Sequence, residues 1–367
     1  MRTRGQLTPG ELDDLLTLAA LRPPVDTRTA RWFRDHVLGT TDPPVMAGGL
    51  VERAAEALIT PSAERATRVR DARARARQAA DATARLRVPL VTVFDDAYPD
   101  CLRQIADPPL VLWIRGVSAV LTSPAVAVVG SRQATASGLA MARQLGRELA
   151  EAGLTVVSGL ARGIDAAAHR GALDAGGVTI AVLGSGIDVI YPREHADIAT
   201  EIPARGALLT EHLPETPPLA PHFPLRNRII SGLSLAVVVV EASERSGSLI
   251  TARLALEQGR DVLAVPGPVM PGRHRGCHAL IKDGARVVET VRDVLEEIGW
   301  AELPAASAAK PLSANGLALD LRPGEALTAD ALAERMGRPV AEILAALTGL
   351  ELAGAVARTP GGAFLRT

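Results

Sequence analysis

Short apolar segments rich in β-branched residues recur between residues 124 and 184, and each ends at a glycine. The segments and their glycines are 124–129 with Gly130, 154–158 with Gly159, and 178–183 with Gly184. Runs of this length and composition predict strands that are buried on both faces of a sheet. Because helix-length stretches separate them, the pattern predicts a parallel sheet with βαβ crossovers. All strands of such a sheet end at one edge, where turn N–H groups and helix N-termini attract anions.

Further apolar segments extend this sheet. Residues 207–210, 235–240 and 262–265 are predicted to be later strands, and residues 89–93 and 111–114 are predicted to be two short strands before it. Strands that alternate with helices along more than 150 residues are typical of an α/β fold. We therefore predict an α/β protein built on a doubly wound, mostly parallel sheet.

Residues 8–87 have the pattern of short helices. Thr8 and Pro9, followed by Glu11, form a helix start signal, and more helices are predicted at 30–38, 47–58 and 63–86. The last helix is the most basic segment of the chain, and its charged residues are Arg65, Arg68, Arg70, Arg73, Arg75, Arg77 and Arg85, with Glu64, Asp71 and Asp81 opposing them. A solvated helix face and a weak contact with a DNA backbone both fit this pattern, and the first is commoner.

The C-terminal residues form a separate small unit. A segment rich in alanine, proline and glycine at 301–315 is typical of a linker, and a helix, a second helix at 340–352 and a hairpin around residues 360–362 follow it. This is the element order of a winged helix. The second helix carries no lysine or arginine, which disfavours a reader of the DNA major groove. The predicted domains are 1–87, 88–300 and 316–367, with the linker at 301–315.

Composition limits the classes of partner and compartment. The 367 residues carry a formal net charge of −1, so a polyanion would have to bind a local patch. The chain lacks a signal-peptide core and a membrane-spanning apolar run, and its two cysteines form no CxxC, so we predict a cytoplasmic protein with no membrane partner. His274, Cys277 and His278 lie close in sequence, but no second ligand pair accompanies them, and we predict no metal and no cofactor.

Several catalytic motifs are missing at the glycine turns. Neither Lys282 nor Lys310 belongs to a P-loop, and no G-x-S-x-G elbow is present. The one G-x-G, at 184–186, has Val189 in place of the third glycine and follows the third strand, so a dinucleotide-binding site is weakly supported.

Arginines and one aromatic residue accompany the turns instead. Arg132 follows the first turn and is placed to pair with a phosphate, and Arg162 belongs to the second turn. Phe223 stands beside Arg226 and Arg228, a combination that suits a base stacked on the ring and a backbone held by guanidinium groups; an ordinary core position for Phe223 is the less favoured alternative. Asp165 and His169 are four residues apart on a predicted helix, where a capping pair and a ligand contact both remain open.

The ordered succession of these motifs resembles the DprA (Smf) family of DNA-processing proteins. The motifs are GSR, SGLARGID, VLGSGIDVIYP, FPLRNRIISGLS, EAS-x-x-SGSLITA and AVPG, and they cover roughly residues 90–290. Two positions depart from the family pattern. Relatives usually have asparagine where His278 stands, and some relatives are basic at Ala220.

The resemblance implies an extended Rossmann-like sheet that binds single-stranded DNA, with an N-terminal helical, SAM-like domain and a C-terminal winged-helix domain. It also implies that the protein loads the RecA recombinase during natural transformation, protects incoming DNA and acts as a homodimer, without being an enzyme. The residues that would bind DNA are Gly130, Ser131, Arg132, Ser158, Gly159, Arg162, Gly184, Ser185, Phe223, Arg226, Asn227, Arg228, Ser246, Gly247 and Ser248.

Two other functions stay open on the sequence. Phosphoribohydrolases of the LOG type use a related fold and a glutamate beside a PGGxGT loop, whereas here Glu241 is followed by no such loop. A winged-helix transcription regulator with a ligand-sensing sheet is the third possibility, and the absence of lysine and arginine from the second helix disfavours it.

Overall fold

The computed structural model describes residues 7–21, 32, 49–59, 62–300, 326–336, 340, 343–344, 347, 350–351, 356–359 and 363–366. The chain divides into two compact units, Met1–Leu303 and Pro304–Thr367. The predicted linker and most of the helix predicted at 30–38 lie outside the described residues. In the described part of the chain we find no helix with the length and apolarity that crossing a bilayer requires.

Among its described residues, the first unit has three helices before the sheet, α1 (Pro9–Leu21), α2 (Leu50–Leu58) and α3 (Arg65–Leu86). The predicted helix start is a capping box, because the Thr8 backbone N–H donates to Glu11 Oε2 at 2.6 Å and the Glu11 N–H donates to Thr8 Oγ1 at 3.3 Å. Helix α3 packs on α1 and α2 through a stripe of buried alanines, Ala72, Ala76, Ala79 and Ala82. Arginines of α3 flank this stripe and bond the other two helices, since Arg75 Nη2 donates to the Ala20 carbonyl oxygen at 2.8 Å and Arg73 pairs with Glu52 at 2.7 Å.

The sheet of this unit has nine strands. They are β1 (Leu90–Thr92), β2 (Val111–Gly116), β3 (Ala125–Val129), β4 (Thr155–Ser158), β5 (Thr179–Val182), β6 (Ala207–Thr210), β7 (Ala236–Val239), β8 (Asp261–Ala264) and β9 (Arg286–Val287). Their order is β1-β2-β6-β5-β4-β3-β7-β8-β9, parallel from β6 to β9, with β1 and β2 antiparallel. The predicted α/β class with a mostly parallel sheet is confirmed.

Eight helices connect and cover these strands. They are α4 (Asp100–Arg103), α5 (Ala136–Glu151), α6 (Ile164–Asp174), α7 (Ala196–Glu201), α8 (His222–Gly232), α9 (Ser248–Glu257), α10 (Arg275–Lys282) and α11 (Val291–Glu297). Alternate residues of β3 belong to two different apolar clusters, with Val126 and Val128 in one and Ala127 and Val129 in the other. The sheet is therefore buried on both faces, as the continuous apolar runs predict.

The sheet has a topological switch point beside β3. The chain runs outward from β3 through β4 and β5 to β6, and then returns to place β7, β8 and β9 on the other side of β3. Val126 of β3 pairs with Val156 of β4 on one side and with Ala236 of β7 on the other. In open α/β sheets the connections leave a crevice at such a point, outside the carboxyl ends of the strands.

The N-terminal helices contact the sheet within the same unit. The buried Trp113 of β2 donates its indole N–H to Thr83 Oγ1 of α3 at 2.8 Å, and Arg85 pairs with Glu215 at 3.0 Å. The predicted boundary at residues 87 and 88 thus falls inside one compact unit, and the division of this unit into two domains stays a prediction.

The second unit has the elements of a winged helix. A three-stranded antiparallel sheet in the order β10 (Ala326–Leu327), β12 (Phe364–Arg366) and β11 (Val356–Arg358) accompanies helix α12 (Ala329–Met336). Ile343, Leu347 and Leu350 are helical and buried, at the spacing of one helix face. The tip of the predicted hairpin at 360–362 lies outside the described residues.

Candidate nucleic-acid interface

A groove of about 620 Å³ lies at the carboxyl edge of the sheet, over the switch point. The turns after β3, β4 and β7 and the first turns of α8 and α9 form its walls. Nine of the predicted DNA-binding residues line it: Gly130, Ser131, Arg132, Phe223, Arg226, Asn227, Ser246, Gly247 and Ser248. These nine are more than half of the fifteen residues named from the resemblance, and that they bind DNA stays a prediction.

The turn after β3 is held so that Arg132 projects into the groove. A Cβ at Gly130 would lie 2.6 Å from Ile164 Cγ1 and 2.9 Å from the Glu241 carbonyl oxygen, so only glycine fits. The Ser131 N–H donates to the same Glu241 carbonyl at 2.7 Å. These contacts tie the turns of β3 and β7 together and fix the backbone beneath Arg132.

Arg132 belongs to an exposed cluster with two aromatic rings. Its Cζ atom lies 5.3 Å from the centroid of the Phe223 ring, and the ring of Tyr191 lies 5.5 Å from the same centroid. A Cβ at Gly184 would lie 2.9 Å from Phe223 Cδ1, so this glycine makes room for the ring. Phe223 is half-buried at the groove wall rather than an ordinary core residue. The cluster offers π faces and a guanidinium plane together.

Tyr191 is a groove residue that the sequence analysis missed. It is 40% exposed and lines the groove beside Phe223. A signal was available, since the chain has only two tyrosines and this one stands in the motif that follows the third glycine-ended strand.

Arg226 forms the floor of the groove. It is 3% exposed, and its Nη1 donates to the carbonyl oxygen of Val182. A Cβ at Gly159 would lie 2.6 Å from Arg226 Cζ, so this glycine lets the guanidinium pass beneath the second turn. Burial lowers the pKa of Arg226 to about 10, an effect that the negative charge of Asp165 opposes. The guanidinium therefore stays charged at neutral pH.

Asp165 and His169 hold the second turn in place. The Asp165 carboxylate accepts from the Gly159 N–H at 3.1 Å, and burial raises its pKa. The Thr179 hydroxyl donates to a backbone carbonyl at 2.7 Å, so the His169 Nδ1–H donates to that hydroxyl, and His169 Nε2 accepts from the Leu160 N–H at 3.4 Å. Burial lowers the pKa of His169 to about 3, which keeps the ring neutral. Of the two possibilities left open by the sequence, these contacts favour the capping pair.

Arg162 lies at the rim, but a neighbouring carboxylate holds it. Its Nε and Nη2 donate to the two oxygens of Glu194 at 2.7 and 2.9 Å. This bidentate hydrogen bond raises the pKa of Arg162 and lowers the pKa of Glu194. Both side chains are about half-exposed, so the pair is a surface ion pair.

The third wall of the groove is the start of α9. The hydroxyl oxygens of Ser246 and Ser248 lie 2.7 Å apart, and a Cβ at Gly247 would have no neighbour within 4 Å. The first N–H groups of this ten-residue helix are bonded by the turn itself, because the Leu249 N–H donates to the Ser246 carbonyl at 3.1 Å and the Ile250 N–H donates to the Gly247 carbonyl at 3.2 Å. The two serine hydroxyls of the turn suit a phosphate.

Three predicted site residues are turned into the protein interior instead of the groove. Ser158 Oγ donates to the Val128 carbonyl at 2.7 Å, and Ser185 Oγ donates to the Val189 carbonyl at 2.6 Å. Arg228 is 5% exposed and pairs with Asp107 and Glu211. Hydrogen bonding and burial direct these side chains away from the surface, so they support the groove without lining it.

Glu241 is buried beneath the start of α5. Its carboxylate accepts from the Thr135 N–H at 3.0 Å and from Thr135 Oγ1 at 2.6 Å, and Thr135 Oγ1 accepts from the Gly138 N–H at 3.1 Å. A Cβ at Gly138 would lie 2.6 Å from Glu241 Oε2. The carboxylate that a phosphoribohydrolase would need is thus committed to holding the β3–α5 connection.

Comparison with known proteins identifies the family. The model of the family described as DNA recombination-mediator protein A matches residues 89–299, which is more than half of the chain. This chain belongs to the DprA/Smf family. A second model, the DprA winged helix domain, matches residues 303–362.

Individual DprA and Smf proteins agree with this assignment. The chain is 44% identical to Protein Smf of Escherichia coli over 285 residues, covering 74% of this chain and 76% of that protein. It is 47% identical to the DNA processing protein DprA of Streptococcus pneumoniae over 209 residues, covering 57% and 74%. The X-ray structure of DprA from S. pneumoniae matches with a TM-score of 0.65 and 37% identity, covering 80% of this chain and 98% of that one.

A second DprA structure that the chain resembles is that of a protein described as binding single-stranded DNA. The chain matches DNA processing protein A from Helicobacter pylori, whose structure was determined for its single-stranded DNA binding mode. The TM-score is 0.51 at 30% identity, covering 55% of this chain and 92% of that chain. The extended Rossmann-like sheet and the winged-helix domain expected of a DprA protein are therefore both present.

Ala220 and His278, the two residues that depart from the DprA pattern, can be located in the structure. Ala220 is exposed and lines the groove, where it adds no charge. The His278 ring nitrogen Nε2 hydrogen-bonds the Gly267 carbonyl at 3.0 Å. Nearby Cys277 directs its thiol at the Val239 carbonyl, and burial raises its pKa to about 11. Among the described residues, no group of three or more His, Cys, Asp or Glu side chains could hold a metal ion.

Proposed function

We propose that this DprA protein binds single-stranded DNA in the groove at the carboxyl edge of its sheet. The observation that carries the proposal is the exposed cluster of Arg132, Tyr191 and Phe223 above the buried charge of Arg226. Bases stack on aromatic rings and guanidinium planes, and such stacking is tolerant of sequence. Base faces become accessible when a strand is not paired, so the cluster favours a single strand over a duplex.

The phosphates would be bound by charge and by hydroxyl groups. Arg132 and Arg226 supply guanidinium groups, while Ser131, Ser246 and Ser248 supply hydroxyl donors. Contacts of this kind address the DNA backbone and carry no base identity. We therefore propose little sequence preference. The single-stranded DNA binding of the H. pylori relative supports the same ligand.

The broader role that we propose is that of a recombination mediator in natural transformation. The family description, DNA recombination-mediator protein A, supports this role. The protein would cover incoming single strands, act as a homodimer in the cytoplasm and pass the DNA to the RecA recombinase. We propose a binding function and no hydrolysis, because the Glu241 carboxylate is turned away from the groove and accepts hydrogen bonds from Thr135.

The test of DNA binding is a filter-binding comparison of single-stranded and double-stranded oligonucleotides of one sequence across a salt series. We expect the single strand to bind more tightly, with a logarithmic salt slope of about −2 if three phosphates are neutralised. An affinity for the single strand that stays constant from low to moderate salt would contradict the proposed phosphate contacts. Equal affinity for the duplex would contradict the role of the aromatic cluster.

The ion pair at the rim gives a second prediction, in which binding improves. Glu194→Gln releases Arg162 and removes a negative charge next to the groove, so we expect an affinity for single-stranded DNA about two- to fivefold higher, a small effect because the pair is exposed to solvent. The matched control is Glu201→Gln, since Glu201 pairs with Arg170 at a comparable 2.7 Å. Unchanged or weaker binding by Glu194→Gln alone would show that Arg162 does not reach the DNA.

A further inference from the structure

The loop between β8 and α10 exposes an apolar tip. Met270 is 74% exposed and Val269 is 67% exposed, which makes them the two most exposed large hydrophobic side chains in the described part of the chain. Pro268 and Pro271 flank them and are exposed as well. Single apolar residues at a surface are ordinary, but a contiguous exposed group of this kind indicates an interaction site.

The loop lies next to the groove, at the same edge of the sheet. Arg273 Nη1 donates to the carbonyl oxygen of Gln133 at 2.7 Å, and Gln133 lines the groove. The Gly276 N–H donates to the Ala242 carbonyl at 2.8 Å, directly before Ser243, which also lines the groove. The tip therefore begins where the groove ends, on the side of β7 and β8.

The base of the loop is clamped, so the tip projects as a unit. The His278 ring bonds the Gly267 carbonyl at 3.0 Å, and a Cβ at Gly267 would lie 2.3 Å from His274 Nδ1. Residue 267 on one side of the loop is thus packed against residues 274 and 278 on the other. Because these contacts hold the two ends of the loop together, Val269 and Met270 project from a fixed base.

The charge around the tip suits a polyanion. Residues 262–282 contain no aspartate or glutamate, and they include Arg273, Arg275 and Lys282. Arg275 Nη1 lies 3.8 Å from the Glu244 carboxylate, and both side chains are more than half-exposed. His274 Nε2, at the base of the loop, lies 3.9 Å from the buried Glu241 carboxylate. A segment of this composition beside a phosphate-binding edge attracts the same ligand that the edge attracts.

We propose that the Pro268–Pro271 tip is a second platform for nucleobases, which extends the path of a single DNA strand beyond the groove. Bases that leave the groove near Gln133 and Ser243 pack on Val269 and Met270, while Arg273 and Arg275 lie beside the phosphates that follow. Apolar side chains such as methionine and proline can cover the face of an unstacked base, as they do when they wedge between base steps. The proposal rests on the proposed function of the groove and adds the direction in which the bound strand continues.

The test uses the full chain, the double variant Val269→Ser/Met270→Ser and oligothymidylates from about 4 to about 16 nucleotides, the range of site sizes known for single-strand-binding folds. We expect short strands, which fill the groove alone, to bind the variant and the wild type equally. Longer strands should lose about tenfold in affinity, the effect of removing one good base contact. The control is Val117→Ser. Val117 is also an exposed valine, but it follows Gly116, which pairs with Ala207 at the amino edge of the sheet, away from the groove.

A fluorescent base gives a second measurement. Two long strands are labelled with 2-aminopurine, one at the 5′ end and one at the 3′ end. The wild type should change the emission of the strand whose labelled end reaches the tip, and the double variant should leave that emission unchanged. The responding end also gives the polarity of the bound strand. The platform would be overturned if the double variant bound strands of every length as tightly as the wild type and gave the same emission. The exposed tip would then be a candidate site for a protein partner.

Two other results would also count against the platform, and they can be told apart. A loss for the short strands as well would show that the tip belongs to the groove itself and extends nothing. Failure of the wild type to bind strands of any length would overturn the proposed function, and the platform with it. Wild-type binding that Arg132→Ala weakens, without any length-dependent loss in the double variant, would overturn the platform alone.

Discussion

Arg132→Ala should lower the affinity for single-stranded DNA by tenfold or more while leaving the fold intact. Hydrogen bonds to charged groups are worth about 1.5–3 kcal/mol, so the loss of the contact between Arg132 and a phosphate corresponds to a factor of about ten or more. The side chain is exposed above the Phe223 ring, so its removal opens no cavity in the core. The measurement is a titration with a labelled single strand, together with the thermal unfolding midpoint.

Two comparisons make this result specific. Arg132→Lys keeps the charge but loses the planar group that covers the ring, so an intermediate affinity is expected. Arg147→Ala removes an exposed arginine of α5 that pairs with Glu151 at 2.8 Å, and it should bind DNA as the wild type does. If Arg132→Ala also binds normally at an unchanged unfolding midpoint, the β3 turn does not contact the DNA.

The position of the glycine turns at the sheet edge could be predicted because short sequence segments determine where each strand ends. Each strand ends at a glycine whose Cβ would collide with another turn, as at Gly130, or with a side chain beneath it, as at Gly159 and Gly184. Such glycines are visible in the sequence, and parallel topology then brings their turns to one edge. The position of the groove follows from these two facts alone.

The orientation of the arginines could not be predicted in the same way. Arg226 and Arg228 stand in one motif and on one helix, but residues two apart on a helix point about 200° apart around its axis. Arg226 consequently faces the groove, while Arg228 faces Asp107, which is 121 residues away in the chain. The partner of Arg162, Glu194, is 32 residues away. Such long-range partners leave no signal in a single sequence.

Arg228→Met should destabilise the protein strongly. The side chain is 5% exposed, its Nε lies 3.0 Å from Asp107 Oδ2, and its Nη2 donates to Glu211 Oε2 at 2.6 Å. The substitution removes the guanidinium that two buried or half-buried carboxylates face, and breaking a buried pair in this way costs about 3–5 kcal/mol. Urea unfolding followed by tryptophan fluorescence measures the loss, since Trp113 is buried in the core of the same unit.

The matched control for this variant is Arg170→Met. Arg170 also pairs with two carboxylates, Asp197 and Glu201, each at 2.7 Å, but its side chain is 29% exposed and the carboxylates are more exposed still. Exposed pairs contribute about 0.2–1 kcal/mol, so the control should lose little stability. The resemblance predicts that Arg228 contacts DNA, whereas its burial indicates a structural role. Comparing the two variants distinguishes these roles. A small loss of stability in Arg228→Met, equal to that of the control, together with a tenfold loss of DNA affinity, would show that Arg228 reaches the strand. A large loss of stability, with the folded protein still binding DNA, would show that it anchors α8 beneath the groove.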